Sequence, residues 1–240
     1  MSWSAGDEGR PVTEAVAVYL EVAPKRSFAG AIEWPGWTRG SRTPDEALAR
    51  LAEYGTRYAR VVAETVGGFR PPADASGFVV NERLAGGAGT DFGAPSAFPT
   101  ADCRPVDEAE LDRLTTILRA CWSTFDRTAD AAVGITLRTG PRGGGRHLEK
   151  IVGHAAESEE AYLNALGARA PKTPGADVAG RWAVVRAAIV DALAARVHGE
   201  SPANPSNTQK PWTPRFFVRR SAWHLLDHAW EIEDRSTPEA

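Results

Sequence analysis

The chain has 240 residues, which is long enough for one large domain or two modest ones. A net charge of −3 and a sequence pI near 6.0 exclude bulk electrostatic attraction to nucleic acid or to anionic membranes. Two cysteines, Cys103 and Cys121, are too few for a disulfide scaffold. The longest apolar stretch is interrupted by Arg186 and Asp191, and the N-terminus shows no signal-peptide pattern. We therefore expect a cytoplasmic protein without a membrane span.

The chain begins with a polar, glycine-containing segment, residues 1–12, which we expect to be a disordered tail. Apolar and polar side chains then alternate from Val16 to Val22, a pattern typical of a half-buried strand. A turn at residues 23–25 is predicted to lead into a returning strand over residues 27–34. The first ordered element is therefore predicted to be a hairpin.

A helix start follows the hairpin at Thr43, Pro44 and Glu46. Threonine suits the N-cap, proline suits the first helical position, and a glutamate three residues after the cap completes a capping box. We predict a helix from this point to about residue 64 and a further strand over residues 78–84.

These elements form a small β-β-α-β module over residues 13–85. Its segment YLEV…FAGAIEWPGWTRGSRTPDEALARLAEY resembles the sheet-and-helix module of HicB-type antitoxins over residues 16–55. The resemblance implies a surface that holds a protein partner, and the alternative is a structural or substrate-covering appendage. Because Trp34, Trp37 and Tyr54 give the module more aromatic surface than a small sheet can bury alone, we expect it to dock on the rest of the chain.

Residues 86–105 are rich in glycine and proline and are predicted to be an interdomain linker, ordered by Phe92 and Phe98. The run Gly86-Gly87-Ala88-Gly89 superficially resembles a phosphate loop, but the Gly-Lys-Ser/Thr ending and the dinucleotide-binding spacing are absent. These glycines are therefore not predicted to form a phosphate loop.

Beyond the linker, apolar residues recur with the helical period. The pattern predicts four helices, over about residues 107–130, 146–166, 177–198 and 215–234. Four such helices favour a four-helix bundle over residues 106–235, followed by a short tail over residues 236–240. The predicted fold class is therefore α+β, with the small module preceding the bundle.

The last predicted helix carries His224 and His228. Residues four apart lie on one helical face, with Cβ atoms about 5–6 Å apart, so two imidazoles can converge on one metal ion. Their stripe also holds Arg220, Ser221 and Glu231, with apolar residues on both sides. Such a stripe is typical either of groups that face a cavity inside a bundle or of a face turned to water.

The second predicted helix offers a third histidine, because His147 and His154 lie on its same face. We favour His154, since the residues after it are small and it lies nearer the middle of the helix. A three-histidine site with one open position is the arrangement of a catalytic zinc. Imidazole ligands favour zinc or nickel.

Two motifs in this half, HAAESEEAYLNALG and RRSAWHLLDHAWEIEDR, resemble the DinB/YfiT-like superfamily over residues 106–235. Those four-helix bundles bind a divalent metal through positions that correspond here to His154, His224 and His228. Known members include thiol-dependent S-transferases and isomerases that use mycothiol or bacillithiol, and the N-terminal part of ergothioneine-forming sulfoxide synthases. The resemblance implies a DinB-like bundle with a metal cofactor and a low-molecular-weight thiol such as mycothiol. The appended N-terminal module is a departure from the compact members.

Two residues of the histidine stripe are assigned catalytic roles. Arg220 could hold a substrate carboxylate, while Glu231 could orient a ligand imidazole or act as a base. The alternative is that the two form an Arg–Glu pair between neighbouring helices. The sequence thus predicts a metal-dependent enzyme for a small-molecule substrate, as a thiol-dependent S-transferase or isomerase. A metal-dependent hydrolase and a non-catalytic binding or scaffold protein are the alternatives. Neither nucleic acid nor a membrane is expected as a partner, and a homodimer is one alternative for the oligomeric state.

Overall fold

A computed structural model describes residues 15–139, 145–200 and 211–236. They form an α+β fold in which a four-stranded sheet with short helices precedes four long helices. The predicted N-terminal tail over residues 1–12 lies outside the described residues, as do residues 237–240.

The sheet consists of β1 (Val16–Val22), β2 (Ser27–Ala31), β3 (Thr38–Ser41) and β4 (Phe78–Ala85). The strand order is β3-β2-β1-β4. β2 pairs antiparallel with both β1 and β3, whereas β4 lies parallel to β1. β2 is buried along its whole length, and β4 at the edge alternates between half-buried and exposed residues.

The sheet differs from the prediction in two places. The second strand ends at Ala31 and does not continue to Trp34, because a tight turn closed by the amide of Trp37 on the carbonyl of Trp34 (3.1 Å) reverses the chain. The strand after this turn, β3, was not predicted, since Arg39 and Gly40 interrupt any alternation of apolar side chains. The prediction of three strands is therefore wrong, and the module has four.

The helix predicted to run to residue 64 is two helices, α1 (Pro44–Glu53) and α2 (Gly55–Val62). The chain bends at Tyr54 between them, where a glycine, a poor helix former, follows. The predicted cap is confirmed, because the hydroxyl of Thr43 accepts a hydrogen bond from the amide of Glu46 at 3.3 Å.

The glycine-rich segment over residues 86–105 contains one further short helix, α3 (Ala88–Phe92). Phe98 stacks on Phe216 with 3.6 Å between ring centroids, as expected of a ring that orders the segment. Phe92, by contrast, is 84% exposed, so the prediction that its ring helps to order the segment is wrong.

Four long helices complete the fold: α4 (Glu108–Ala131), α5 (Leu148–Leu166), α6 (Val178–Val197) and α7 (Pro214–Ser236). Each begins and ends within two residues of its predicted bounds. α7 packs on α4 and α5, and α6 contacts all three of the other long helices. No helix among the described residues combines the length and apolar character that crossing a membrane would require.

The sheet module docks on α7, which confirms the predicted coupling of the two parts. Phe28 of β2 meets Trp223 edge-on at 6.0 Å, and Tyr54 packs against Trp230 at 5.0 Å between centroids. Buried apolar residues of the sheet and of the long helices belong to one continuous core. The α7 helix is therefore the element on which both parts of the chain are assembled.

A buried ion pair reinforces this junction. Arg219 of α7 donates two hydrogen bonds of 2.7 Å to the carboxylate of Asp102, which lies in a 3-10 turn of the glycine-rich segment. The same guanidinium donates to the carbonyls of Ala31 and Ile32, at the end of β2. Both charged side chains are almost fully buried, so each requires the other as its counter-charge.

Candidate metal centre

The polar stripe of α7 faces the protein interior. Ser221 is fully buried, while His224 and His228 are 6% and 9% exposed. This burial decides between the two interpretations of the stripe, because a face turned to water would leave these side chains accessible. Buried polar groups need partners, so the stripe must be satisfied by other side chains or by a ligand.

His154 of α5 completes a cluster with the two α7 histidines. Its ring lies 5.1 Å from that of His224 and 5.3 Å from that of His228, and the two α7 rings are 4.6 Å apart, measured between centroids. One ligand nitrogen from each residue can be chosen so that all three lie within 4.8 Å of one another. The three imidazoles therefore converge on one point between α5 and α7.

The spacing of two of these nitrogens fits a tetrahedral ion. The Nε2 atoms of His154 and His224 are 3.3 Å apart. Two ligands at about 2.0–2.1 Å from a tetrahedral zinc would be about 3.3–3.4 Å apart. This pair thus has the donor type and the separation of two ligands of a divalent ion, and a nitrogen of the third ring lies within 4.8 Å of both.

His147 takes no part in this cluster. It forms the N-cap of α5 and is exposed, two turns before His154. His154 follows Ile151 and precedes Ala155, which are both fully buried, so the middle of α5 is pressed against its neighbours. The structure therefore brings His154, and not His147, to the α7 pair.

Glu231 fixes the orientation of His228. Its Oε2 lies 3.0 Å from Nδ1 of His228, and its Oε1 accepts a hydrogen bond from Arg235 at 2.7 Å. The hydrogen bond to His228, together with the charge of Arg235, lowers the pKa of Glu231 despite partial burial. A carboxylate can only accept, so Nδ1 of His228 carries a proton, and Nε2 is the ring nitrogen that remains for a metal ion. A carboxylate behind a ligand imidazole is the usual way in which metal-binding histidines are oriented.

The environment of His154 and His224 disfavours protonation of both rings. Burial lowers the pKa of His224 well below its usual value, and the charge of Arg220 acts in the same direction. Burial and the charge of Arg146 lower the pKa of His154 in the same direction. Neutral imidazoles are the form that binds metal, because a protonated ring has no free lone pair.

Arg220 lies beside this cluster and does not pair with Glu231. Its guanidinium carbon lies 5.3 Å from the ring centroid of Tyr162 and 4.6 Å from that of Trp223. One of its nitrogens, Nη1, is buried and has no hydrogen-bond partner among the described residues. Since Glu231 is engaged by His228 and Arg235, the alternative of an Arg220–Glu231 bridge is not formed. A half-buried guanidinium with one buried, unused donor is suited to an anionic ligand.

Two residues near the cluster were not predicted from the sequence. Tyr162 of α5 packs edge-on against His224 at 5.7 Å and carries Arg220 on its ring. Glu159 is fully buried and accepts hydrogen bonds from Trp122 and from Ser221 of the histidine stripe. Burial raises the pKa of Glu159. The signal for Tyr162 was its position two turns after His154, where an aromatic ring reaches over the same part of α7.

No family model, no curated protein and no solved structure matches this chain. The resemblances to the DinB/YfiT-like superfamily and to HicB-type antitoxins therefore stay predictions. What the chain can do chemically rests on the geometry of its own residues.

Proposed function

We propose that the chain binds one divalent ion, zinc or nickel, through His154, His224 and His228, and that it is a metal-dependent enzyme acting on a small molecule. The observation that carries the proposal is the convergence of three imidazoles, two buried and one half-buried, with the Nε2 atoms of His154 and His224 3.3 Å apart. The carboxylate of Glu231 behind His228 adds independent support, since it engages Nδ1 and leaves Nε2 of the same ring for an ion.

A bound ion supplies Lewis acidity, which lowers the pKa of a water or a thiol beside it. The chain's own residues supply the remaining functions. Glu231 holds His228 in one tautomer, and Arg220 offers its unused donor to a carboxylate or another anionic group of the substrate. Tyr162 and Trp223 keep the guanidinium in place from two sides.

Thiol-dependent group transfer or isomerisation is the reaction class that we favour, because the motifs on α5 and α7 resemble the DinB/YfiT-like superfamily, whose known members use mycothiol or bacillithiol. A hydrolase would use the same three histidines with water in place of the thiol. A scaffold protein with a HicB-like partner surface would tolerate loss of the three histidines. Their convergence therefore favours an enzyme.

The test is thiol consumption in the presence of carboxylate-bearing electrophiles, measured for the metal-loaded and the metal-free protein. We expect turnover only with metal. Arg220→Ala should raise KM for carboxylate-bearing electrophiles by about tenfold or more, and Arg220→Lys should restore part of the loss, because a charge-assisted hydrogen bond contributes about 1.5–3 kcal/mol. Turnover without thiol would favour the hydrolase. Equal rates with and without metal would contradict the proposal.

A further inference from the structure

A cavity lies between the sheet module and the C-terminal half of α7, in addition to the candidate metal centre. Its volume is about 740 Å³, within the range of about 300–1,000 Å³ that small-molecule sites occupy. Residues of β3, α1, α3 and α7 contribute to its wall, and none of the three clustered histidines is among the described residues that line it. The cavity is therefore distinct from the candidate metal centre.

The wall of this cavity is cationic. Among the described residues, five arginines and three carboxylates line it, so this part of the wall carries two more positive than negative charges. Each of the three carboxylates is already bound by an arginine: Asp227 by Arg39, Glu231 by Arg235, and Asp234 by Arg57 from outside the wall. The acidic side chains therefore stabilise the wall and do not offer a free site to a cation.

Two arginines of the wall retain capacity for an anion. Arg39 is nine-tenths buried, stacks over Tyr54 at 4.0 Å, and has an Nε without a hydrogen-bond partner among the described residues. Arg50 of α1 is exposed and forms no ion pair with any carboxylate in the described ranges. Guanidinium groups held against aromatic rings are preorganised for phosphate and carboxylate groups.

An exposed aromatic ring stands at the rim. Phe92, the last residue of α3, is 84% exposed although it is a large apolar side chain. Two hydrogen bonds hold the short helix in place. The hydroxyl of the buried Thr90 donates to the carboxylate of Glu21, and the carboxylate of Asp91 accepts from the amide of Lys25. The ring of Phe92 is therefore exposed to solvent beside the cationic cavity, on a helix that is held in place. An exposed ring in that place is suited to stacking on a planar ligand.

We propose that this cavity binds a small organic phosphate that carries a planar ring, with its phosphate towards Arg50 and Arg39 and its ring stacked on Phe92. Binding does not depend on the metal centre. The two sites adjoin through Glu231, which lines the cavity and accepts the hydrogen bond of His228.

The experiment uses the full chain without added metal and adenosine monophosphate as the probe, with isothermal titration calorimetry as the readout. One nucleotide should bind per chain. Arg50→Ala should weaken binding about tenfold, because it removes one charge-assisted contact. Phe92→Ala should weaken nucleotide binding about fivefold or more and leave inorganic phosphate binding unchanged, since only the stacking contact is lost. Arg60→Ala is the matched control, because Arg60 is an exposed arginine of α2 outside the cavity wall.

Three results would overturn the assignment. The first is no nucleotide binding at millimolar concentration. The second is equal affinity in Arg50→Ala and wild type, which would place the ligand elsewhere. The third is loss of nucleotide binding in His224→Ala, which would place it at the metal centre. If nucleotide and inorganic phosphate bind with equal affinity, and Phe92→Ala changes neither affinity, the claim that the ligand stacks a planar ring on Phe92 is wrong. Because no metal is needed, failure here would leave the metal-centre proposal intact.

Discussion

Replacing Asp102 by alanine should be among the most destabilising single changes in the chain. The change leaves the guanidinium of Arg219 buried, with its two hydrogen bonds to backbone carbonyls but without a counter-charge. Breaking one side of a buried ion pair costs about 3–5 kcal/mol, whereas an exposed pair contributes about 0–1 kcal/mol. We therefore expect Asp102→Ala to lower the free energy of unfolding by about 3–5 kcal/mol, and Asp102→Asn by less, because the amide keeps one acceptor oxygen.

Urea denaturation followed by tryptophan fluorescence and by circular dichroism measures this loss. Glu33→Ala is the matched control, because Glu33 pairs with Arg104 in the same neighbourhood but both side chains are about half exposed. Its effect should stay within about 1 kcal/mol. If Asp102→Ala does not fold, Asp102→Asn gives the measurement. Equal losses for Asp102→Asn and Glu33→Ala, both within about 1 kcal/mol, would refute the reasoning that the pair ties the sheet module to α7.

Three other predictions concern the metal site, a buried acid and the cysteines. Glu231→Gln should weaken zinc binding about 10–100-fold in a competition titration, because the amide orients His228 less firmly; an unchanged affinity would contradict the role of Glu231. The pKa of Glu159 is raised in the folded protein, so its contribution to stability is present below the pKa of the unfolded chain and is lost as pH rises through the folded-state value. Wild type should therefore lose stability relative to Glu159→Gln as pH rises above 4.5, the usual pKa of a glutamate, and a pH-independent difference in urea midpoints would be inconsistent with this. A thiol reagent should label Cys103 in the native protein but reach Cys121 only after denaturation, since Cys121 is fully buried and burial raises its pKa; native labelling of both would contradict the packing of α4.

Local patterns in the sequence predicted the long helices and the candidate site well. The separation of His224 and His228 fixes their common face, because it depends only on helix geometry. His154 could be preferred to His147 because the residues after it are small, which leaves space in front of the imidazole, and because it lies nearer the middle of the helix. In both cases the physical cause lies within one turn or two of the residue concerned.

Contacts between distant parts of the chain could not be predicted in this way. Arg219 and Asp102 are 117 residues apart, and no local sequence pattern around either residue indicates that the two form an ion pair. The strand β3 was missed because pairing with β2 gives it its structure, while its own side chains carry no alternating pattern. Arg220 was predicted to serve the site, but its support by Tyr162 depends on how α5 crosses α7.

The most direct test of the central claim is titration of metal-free protein with Zn²⁺ and Ni²⁺, comparing wild type with His154→Ala, His224→Ala, His228→Ala and His147→Ala. We predict one ion per wild-type chain. In each of the first three variants the metal affinity should fall by more than about 10–100-fold, which is the loss expected when a residue that only orients a ligand is removed. His147→Ala should bind like wild type. Loss of binding in His147→Ala but not in His154→Ala would show that the third ligand is misassigned. Wild-type affinity in all four variants would contradict the metal centre itself.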